Sequence, residues 1–444
     1  MKQWIRISFV VSMLVLAITP LCATVAPIVS GQSLWWIVKR IGLAVDAIES
    51  KVDLIDTSTT GVSCGVVELG QSSVMGGSLG ISAAGSYCLK EDITADVTIG
   101  TSCVLLDMNG RCVTGTITVS SGSFSVIKNG FVNPPAPSGG ATPAPGISVA
   151  LGISKFFIDN VTVECVDSAV DTPGRDAIEV AGDDVQVRHS TFIAGAGGAL
   201  GATSAGDGGS GIVLTTDASD VVVANSVLIG GDGGDSRGDG GHGIEIVGAD
   251  NVVIEECTVF RAGMGGSSGG GGSAGDGGHG IAFITSVANN VFIKNCTIQK
   301  SGDGGNSASG AGGDGGHGIF IASVSNTKIA VSNCIISDTG AGGSGPGGFA
   351  PDGGNGVFIG ASNADISVHN CTISNTGTAG DVAGKAVDDN VAAGANASKI
   401  YANFAHDIAN ATKFDLQASG VESGFALSNP PSSTAVSVYA NVFI

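Results

Sequence analysis

From Phe156 onward one phrase recurs: two apolar residues separated by one, two further residues, a small residue, and an apolar residue two places later. Val252, Ile254, Cys257 and Val259 align with Val291, Ile293, Cys296 and Ile298, then with Ile329, Val331, Cys334 and Ile336, then with Ile366, Val368, Cys371 and Ile373. Looser copies stand at Val221, Val223, Ser226 and Leu228, at Val185, Val187, Ser190 and Phe192, and at Phe156, Ile158, Val161 and Val163. Alternation of period two predicts strands with one buried face. The residue before the small one is Asn160, Asn225, Asn295, Asn333 or Asn370 in most copies. Asn tolerates the left-handed conformation, so a bend between two strands is expected there.

A second phrase precedes the later copies, at Ile178 and Val180, Ile212 and Leu214, Ile244 and Ile246, Ile281 and Phe283, Ile319 and Ile321, and Val357 and Ile359. Each unit therefore supplies three short strands and buries its apolar face only against its neighbours in a stack. The predicted architecture is all-β, a parallel β-helix. The 73 glycines among 444 residues follow no collagen-like period along the chain, and 43% apolar residues with a mean hydropathy of +0.36 argue for a folded core. Successive small residues Ser226, Cys257, Cys296, Cys334 and Cys371 are 31, 39, 38 and 37 residues apart. Each coil thus carries an insertion opening on Gly-x-Gly-Gly, as at Gly263–Gly266 and Gly302–Gly305, and closing on Asp-Gly-Gly. Their similarity predicts a regular glycine-rich layer along one edge. The run from Pro134 to Pro145 reads as an exposed loop.

Three strands per coil with Asn at the second turn resemble the right-handed parallel β-helix superfamily that includes pectate lyases and polygalacturonases. Gly85-Ser86-Tyr87-Cys88-Leu89, Asp92-Ile93 and Leu106-Asp107-Met108-Asn109-Gly110 resemble the first coils of such secreted proteins. The resemblance covers residues 60 to about 405 and is specific for fold rather than activity. It implies a right-handed, three-strand-per-coil helix whose bare coil is shorter than these repeats.

Lys2 and Arg6 precede an apolar stretch from Ile7 to Ile18, and Leu21-Cys22-Ala23 suits signal cleavage. Residues 1–23 are expected to be a signal peptide, with export to the periplasm, the cell surface or the medium and no transmembrane span in the mature chain. Removing them changes the net charge from −20 to 17 minus 39, or −22. Such acidity argues against nucleic acid as a partner. In residues 24–59, Leu34, Val38, Ile41, Val45, Ile48, Val52 and Ile55 step by 4 and 3, a heptad seam. It fits a short N-terminal helix packed on the main domain or a trimeric coiled coil making a homotrimer. Residues 60–405 form the β-helix and 406–444 its C-terminal end or cap.

Cys257, Cys296, Cys334 and Cys371 fall in one core-facing column, where free buried thiols are expected. Pairing among Cys64, Cys88, Cys103, Cys112 and Cys165 stays open. Aligning the first-strand phrases places Asp176, Ser210, His242, His279, His317 and Asn355 in one polar column. Asp207, Asp239, Asp276, Asp314 and Asp352 make a second. Carboxylates about 5 Å apart repel by roughly 3 to 4 kcal/mol at an effective dielectric of 20, so something relieves them. Hydrogen bonds from Gly backbone N–H groups are one solution and bridging calcium, the sole cofactor considered, is the other.

Gly241-His242-Gly243-Ile244 resembles the polygalacturonase Gly-His-Gly motif, and Gly174-Arg175-Asp176 loosely echoes that family's Asn-Thr-Asp motif. Gly209-Ser210 stands where its paired aspartates belong, and its later Arg-Ile-Lys motif is missing. An inverting glycosidase needs two carboxyl groups, and Asp176 alone is in place. A motif repeated three times fits a structural ladder better than one asymmetric catalytic centre. Pectate-type lyase chemistry needs a basic residue beside calcium, and neither Arg237 nor Arg261 lies in a matching motif. The functional expectation is a non-catalytic surface for a polysaccharide or other cell-surface ligand, with a polysaccharide-degrading hydrolase or lyase as the alternative.

Overall fold

The computed structural model describes residues 65–406, except 137–141, 170–171, 200–205, 236, 270–271, 285–286, 323–325, 347–350, 361–362, 364, 379–382, 390–398 and 402, and beyond them residues 414–416 and 442–443. The chain divides into two units, Met1–Cys64 and Gly65–Ile444. The first, with the expected leader and heptad seam, lies outside the described residues. Among the described residues no helix is long and apolar enough to cross a membrane.

Within the second unit the described strands form two sheets. One has 12 parallel strands, one from each coil, running from Ser78–Ile81 through Ile178–Val180, Ile244–Ile246 and Ile319–Ile321 to Phe414–Leu416. The other, of 22 strands, takes two from most coils, such as Val253–Glu255 and Thr258–Arg261. Each strand pairs in parallel with its counterpart one coil away: Ile212 lies beside Ile244, Ile244 beside Ile281, and Ile281 beside Ile319. This is a parallel β-helix. It begins earlier than the clear repeats, because coils at Ser78–Ile81, Asp96–Ile99 and Ile117–Val119 already stack in the same sheet.

Alternation sets the core. In Ile244–Ile246 both ends are buried while Glu245 between them faces outward. Burying one such side chain is worth ~2 kcal/mol. The bend between the second and third strands is left-handed at Asn160, Asn225, Asn295, Asn333 and Asn370, with φ of 55°, 50°, 54°, 53° and 54°. His189 and Glu256 adopt the same conformation in the copies without Asn. After each bend, Cys257, Cys296, Cys334 and Cys371 sit in one column, each 1% exposed. Their thiols donate to the carbonyl two residues earlier, as Ser190 and Ser226 do with their hydroxyls. The position thus needs a small side chain that donates locally. The thiols of Cys257 and Cys334, followed by burial, push the Cys296 thiol up. Cys88, Cys103, Cys112 and Cys165 are free as well.

The glycine-rich insertions form an ordered layer of paired outgoing and returning limbs. Gly275 and Gly278 donate to Gly266 and Gly263 of their own coil at 3.0 and 2.8 Å. Gly263 and Gly266 donate to Gly241 and Gly238 of the coil before, and Gly265 and Gly277 to Asp303 and Asp314 of the coil after. Successive amides point in three directions, whereas those of a β-strand point in two. The limbs therefore run as extended three-residue-per-turn helices of polyproline II type, whose backbone bonds all go to neighbours. A three-residue period is present after all, but only within each short limb. Met264 and Ser267, or Asp276 and His279, occupy its outward position, and glycine fills the rest. A Cβ at Gly263 would come 1.7 Å from the Gly231 carbonyl oxygen, and one at Gly302 1.8 Å from that of Gly263. No other residue fits that spacing.

Candidate functional site

The first-strand pairing puts Asp176, Ser210, His242, His279, His317 and Asn355 at equivalent positions of successive coils, where the returning limb enters the strand. They connect through the backbone. The His242 Nδ1 accepts the His279 backbone N–H at 3.0 Å, His279 Nδ1 that of His317 at 2.9 Å, and His317 Nδ1 that of Asn355 at 2.8 Å. Below them Asp176 Oδ1 accepts from Ser210 N–H, and above them Asn355 Oδ1 accepts from Lys385 N–H. A ring that accepts at Nδ1 carries its proton on Nε2 and is neutral. Burial lowers the basicity of all three rings: His317 is held to about 4 and His279 well below the usual range.

The three rings stack at 5.1 and 5.0 Å with planes 2° and 6° apart, and Phe320 and Phe358 join them from the outward face of the adjoining strands. Their faces are turned on one another along the stack, so the column offers ring edges to solvent and no flat platform. Sequence reasoning missed Phe320, Phe358 and Glu245. Each is the middle, outward residue of a first-strand phrase, and alternation alone marks that position.

Asp207, Asp239, Asp276, Asp314 and Asp352 lie three residues before this column, on the outward side of the returning limb. The Oδ1 atoms of the first four accept the backbone N–H of the next aspartate, at 2.9, 2.8, 2.8 and 2.8 Å. Glycine N–H donors to these carboxylates are expected from the sequence; the donor is instead the next aspartate's own N–H. A strand-like rise of one coil brings that amide to each carboxylate. Bridging calcium needs several oxygens converging on one point. Among the described residues no group of three or more His, Cys, Asp or Glu side chains converges in that way. Burial raises the affinity of Asp239 and Asp276 for protons, and the next aspartate's N–H opposes it.

Asp176 differs from the rest of its column. Burial pushes its carboxyl up to about 7 against the Ser210 N–H, with Glu245 and Glu179 adding to the rise. Ser210 Oγ donates to Glu245 Oε2 at 2.8 Å, which ties the two coils together. The three carboxylates share the outward face of the first sheet.

Residues 146–314 match the family described as right handed beta helix region. The chain matches no curated protein in sequence. Among solved structures it is similar to PfbA, a surface adhesin of Streptococcus pneumoniae, at 10% identity over 84% of this chain and 87% of that one, with a TM-score of 0.41. It is similar to pectate lyase Pel9A at 12% identity over 77% and 71%, with a TM-score of 0.42. It is similar to a tailspike protein of E. coli bacteriophage HK620 at 13% identity over 84% and 59%, with a TM-score of 0.39. With its parallel coils in register and the family match across their centre, this chain is a right-handed parallel β-helix repeat protein.

Proposed function

We propose that this chain is an exported, non-catalytic β-helix protein that offers a long surface for contact with glycans or other cell-surface molecules. One observation carries the reading: His242, His279 and His317 through Nδ1, and Asp176, Asp207, Asp239, Asp276 and Asp314 through Oδ1, each accept a backbone N–H of the next coil. A general base needs a free lone pair at the reacting atom; each imidazole has one such pair, at Nδ1, and commits it to the fold, and each of these carboxylates gives one oxygen to the same purpose. The charged start and apolar stretch of residues 1–23 support export, and the seam of residues 34–55 supports a homotrimer. The test incubates the full chain with acidic and neutral polysaccharides and follows both retention and new chain ends. The reading expects retention without release of reducing or unsaturated ends. Release of such ends overturns it.

A second reading has one observation behind it. Asp176, held protonated to about pH 7 beside Glu179 and Glu245, has the property of a general acid in a polysaccharide hydrolase. Under that reading Asp176→Asn abolishes the release of reducing ends. Absence of release from the unaltered chain removes the reading.

A further inference from the structure

At the corner where the third strand of each coil turns into the outgoing glycine limb, four successive coils enclose a groove of about 430 Å³. Its outer rim is the column Arg261, Lys300, Asp338 and Asn375, which the pairing of Gln299 with Ser337 and of Ser337 with Ser374 brings into line. Lys300, Asp338 and Asn375 have φ of 57°, 55° and 49°, and this left-handed corner turns them outward from the strand. The opposite rim includes Met264, Asp303 and Thr378, and the floor is Ser301, Thr339 and Thr376. At ~4.8 Å per coil the groove runs ~14 Å along the helix axis, room for a short oligosaccharide.

Asp303 Oδ1 accepts the Ala341 N–H and Asp338 Oδ2 the Ser337 hydroxyl, but two polar groups here have no partner. Thr339 and Thr376 donate to the Gly354 and Gly384 carbonyls of the returning limb, but the Ser301 hydroxyl at the equivalent position is buried with no partner. Arg261 Nε is likewise unpartnered, although its guanidinium pairs with Asp232. Lys300 Nζ lies 5.2 Å over the Phe260 ring and pairs with no carboxylate among the described residues. An exposed ammonium without a counter-ion is notable in a chain of net charge −20. At the other end Asn375 donates to Asp338 Oδ1 at 3.0 Å, an amide and carboxylate pair that can bracket vicinal hydroxyls.

We propose that this groove is a binding site for a short, mostly neutral saccharide bearing a single acidic group, which Lys300 holds while Asp338 and Asn375 take the hydroxyls of the adjoining sugars. The charge order sets the class. Asp303 and Asp338 repel a run of successive carboxylates, so a polyuronate does not fit, whereas one anion at the basic end does. The inference rests on the glycan-contact reading above and gives it an address.

Calorimetric titration of the full chain with sialyl-lactose, lactose and a trigalacturonate tests it, with Lys300→Glu and Asn375→Ala beside the unaltered protein and melting curves as the folding control. Both side chains are exposed; Lys300→Glu is expected to melt as the parent does, and Asn375→Ala, at a left-handed φ of 49°, to melt slightly lower while staying folded. The site predicts that sialyl-lactose binds more tightly than the other two. It also predicts that Lys300→Glu weakens that binding by about tenfold or more, the loss of one charge-assisted contact. Binding of sialyl-lactose unchanged in Lys300→Glu, or trigalacturonate bound at least as tightly, overturns the groove and leaves glycan contact elsewhere standing. Retention of no polysaccharide and no oligosaccharide by the unaltered chain overturns both.

Discussion

At the scale of the residue, an imidazole here does the work of an amide. Asn355 Oδ1 accepts the next coil's N–H as the histidine Nδ1 atoms do, and Asp176 and Ser210 fill the same position lower down. Protonating Nδ1 turns this acceptor into a donor facing another donor. The folded histidines therefore resist protonation, with His317 at about 4, while the unfolded chain takes up these protons near pH 6.5. Between those values the unfolded state binds more protons, so stability rises with pH across the window and is lost on acidification through it. The cost for His317 approaches roughly 3 kcal/mol at pH 4. Asp239 and Asp276, whose folded affinity for protons is raised, act in the opposite direction. Comparison with a variant isolates the histidine part. A His279→Asn, His317→Asn double variant keeps an acceptor at both positions and is expected to fold, with a melting temperature that falls less between pH 6.5 and 4 than the parent's. Parallel pH profiles for the two proteins would contradict the ladder.

At the scale of the element, strands and limbs were unequally legible. The strands announce themselves by alternation, and the Cys column by a small residue at a fixed offset after two buried ones, so pairing in register follows from aligning the phrases. The Asn bends were legible too, because a residue that tolerates left-handed backbone recurs where direction must change. The corner at Lys300 and Asp338 was not, since Lys has no such preference and the position is dictated by the stack. Likewise, glycine richness announced an insertion without its conformation. Only the neighbouring backbones show why most inward positions are bare: polyproline-type limbs pack at hydrogen-bonding distance on three sides. Gly302→Ala places a Cβ 1.8 Å from the Gly263 carbonyl oxygen and is expected to cost at least about 1–3 kcal/mol in chemical denaturation. Gly269→Ala meets nothing within 4 Å and is expected to leave stability within about 0.5 kcal/mol. Equal effects from the two would remove the close-packed lattice.

At the scale of the whole molecule, the β-helix core and the glycine layer are one hydrogen-bonded body among the described residues of the second unit. The polar columns lie at their junction, where returning limb becomes first strand. That location explains why residue types familiar from catalysis recur in rows: a row supplies one acceptor per coil, and chemistry would need a single asymmetric group. The sequence showed both columns but not their partners, because a bond from a side chain to the next coil's amide depends on a spacing that only stacking creates. The groove beside the outgoing limb was not legible for a plainer reason: Arg261, Lys300, Asp338 and Asn375 share no residue type, although each stands four places after its cysteine. Amide hydrogen exchange tests this unity most directly. If limbs and core form one body, the amides of Gly263, Gly278, Gly302 and Gly316 exchange as slowly as those of Ile254 and Ile293 in the core strands. Exchange of these glycines at the rate of an unstructured chain, with the strands still protected, would contradict it.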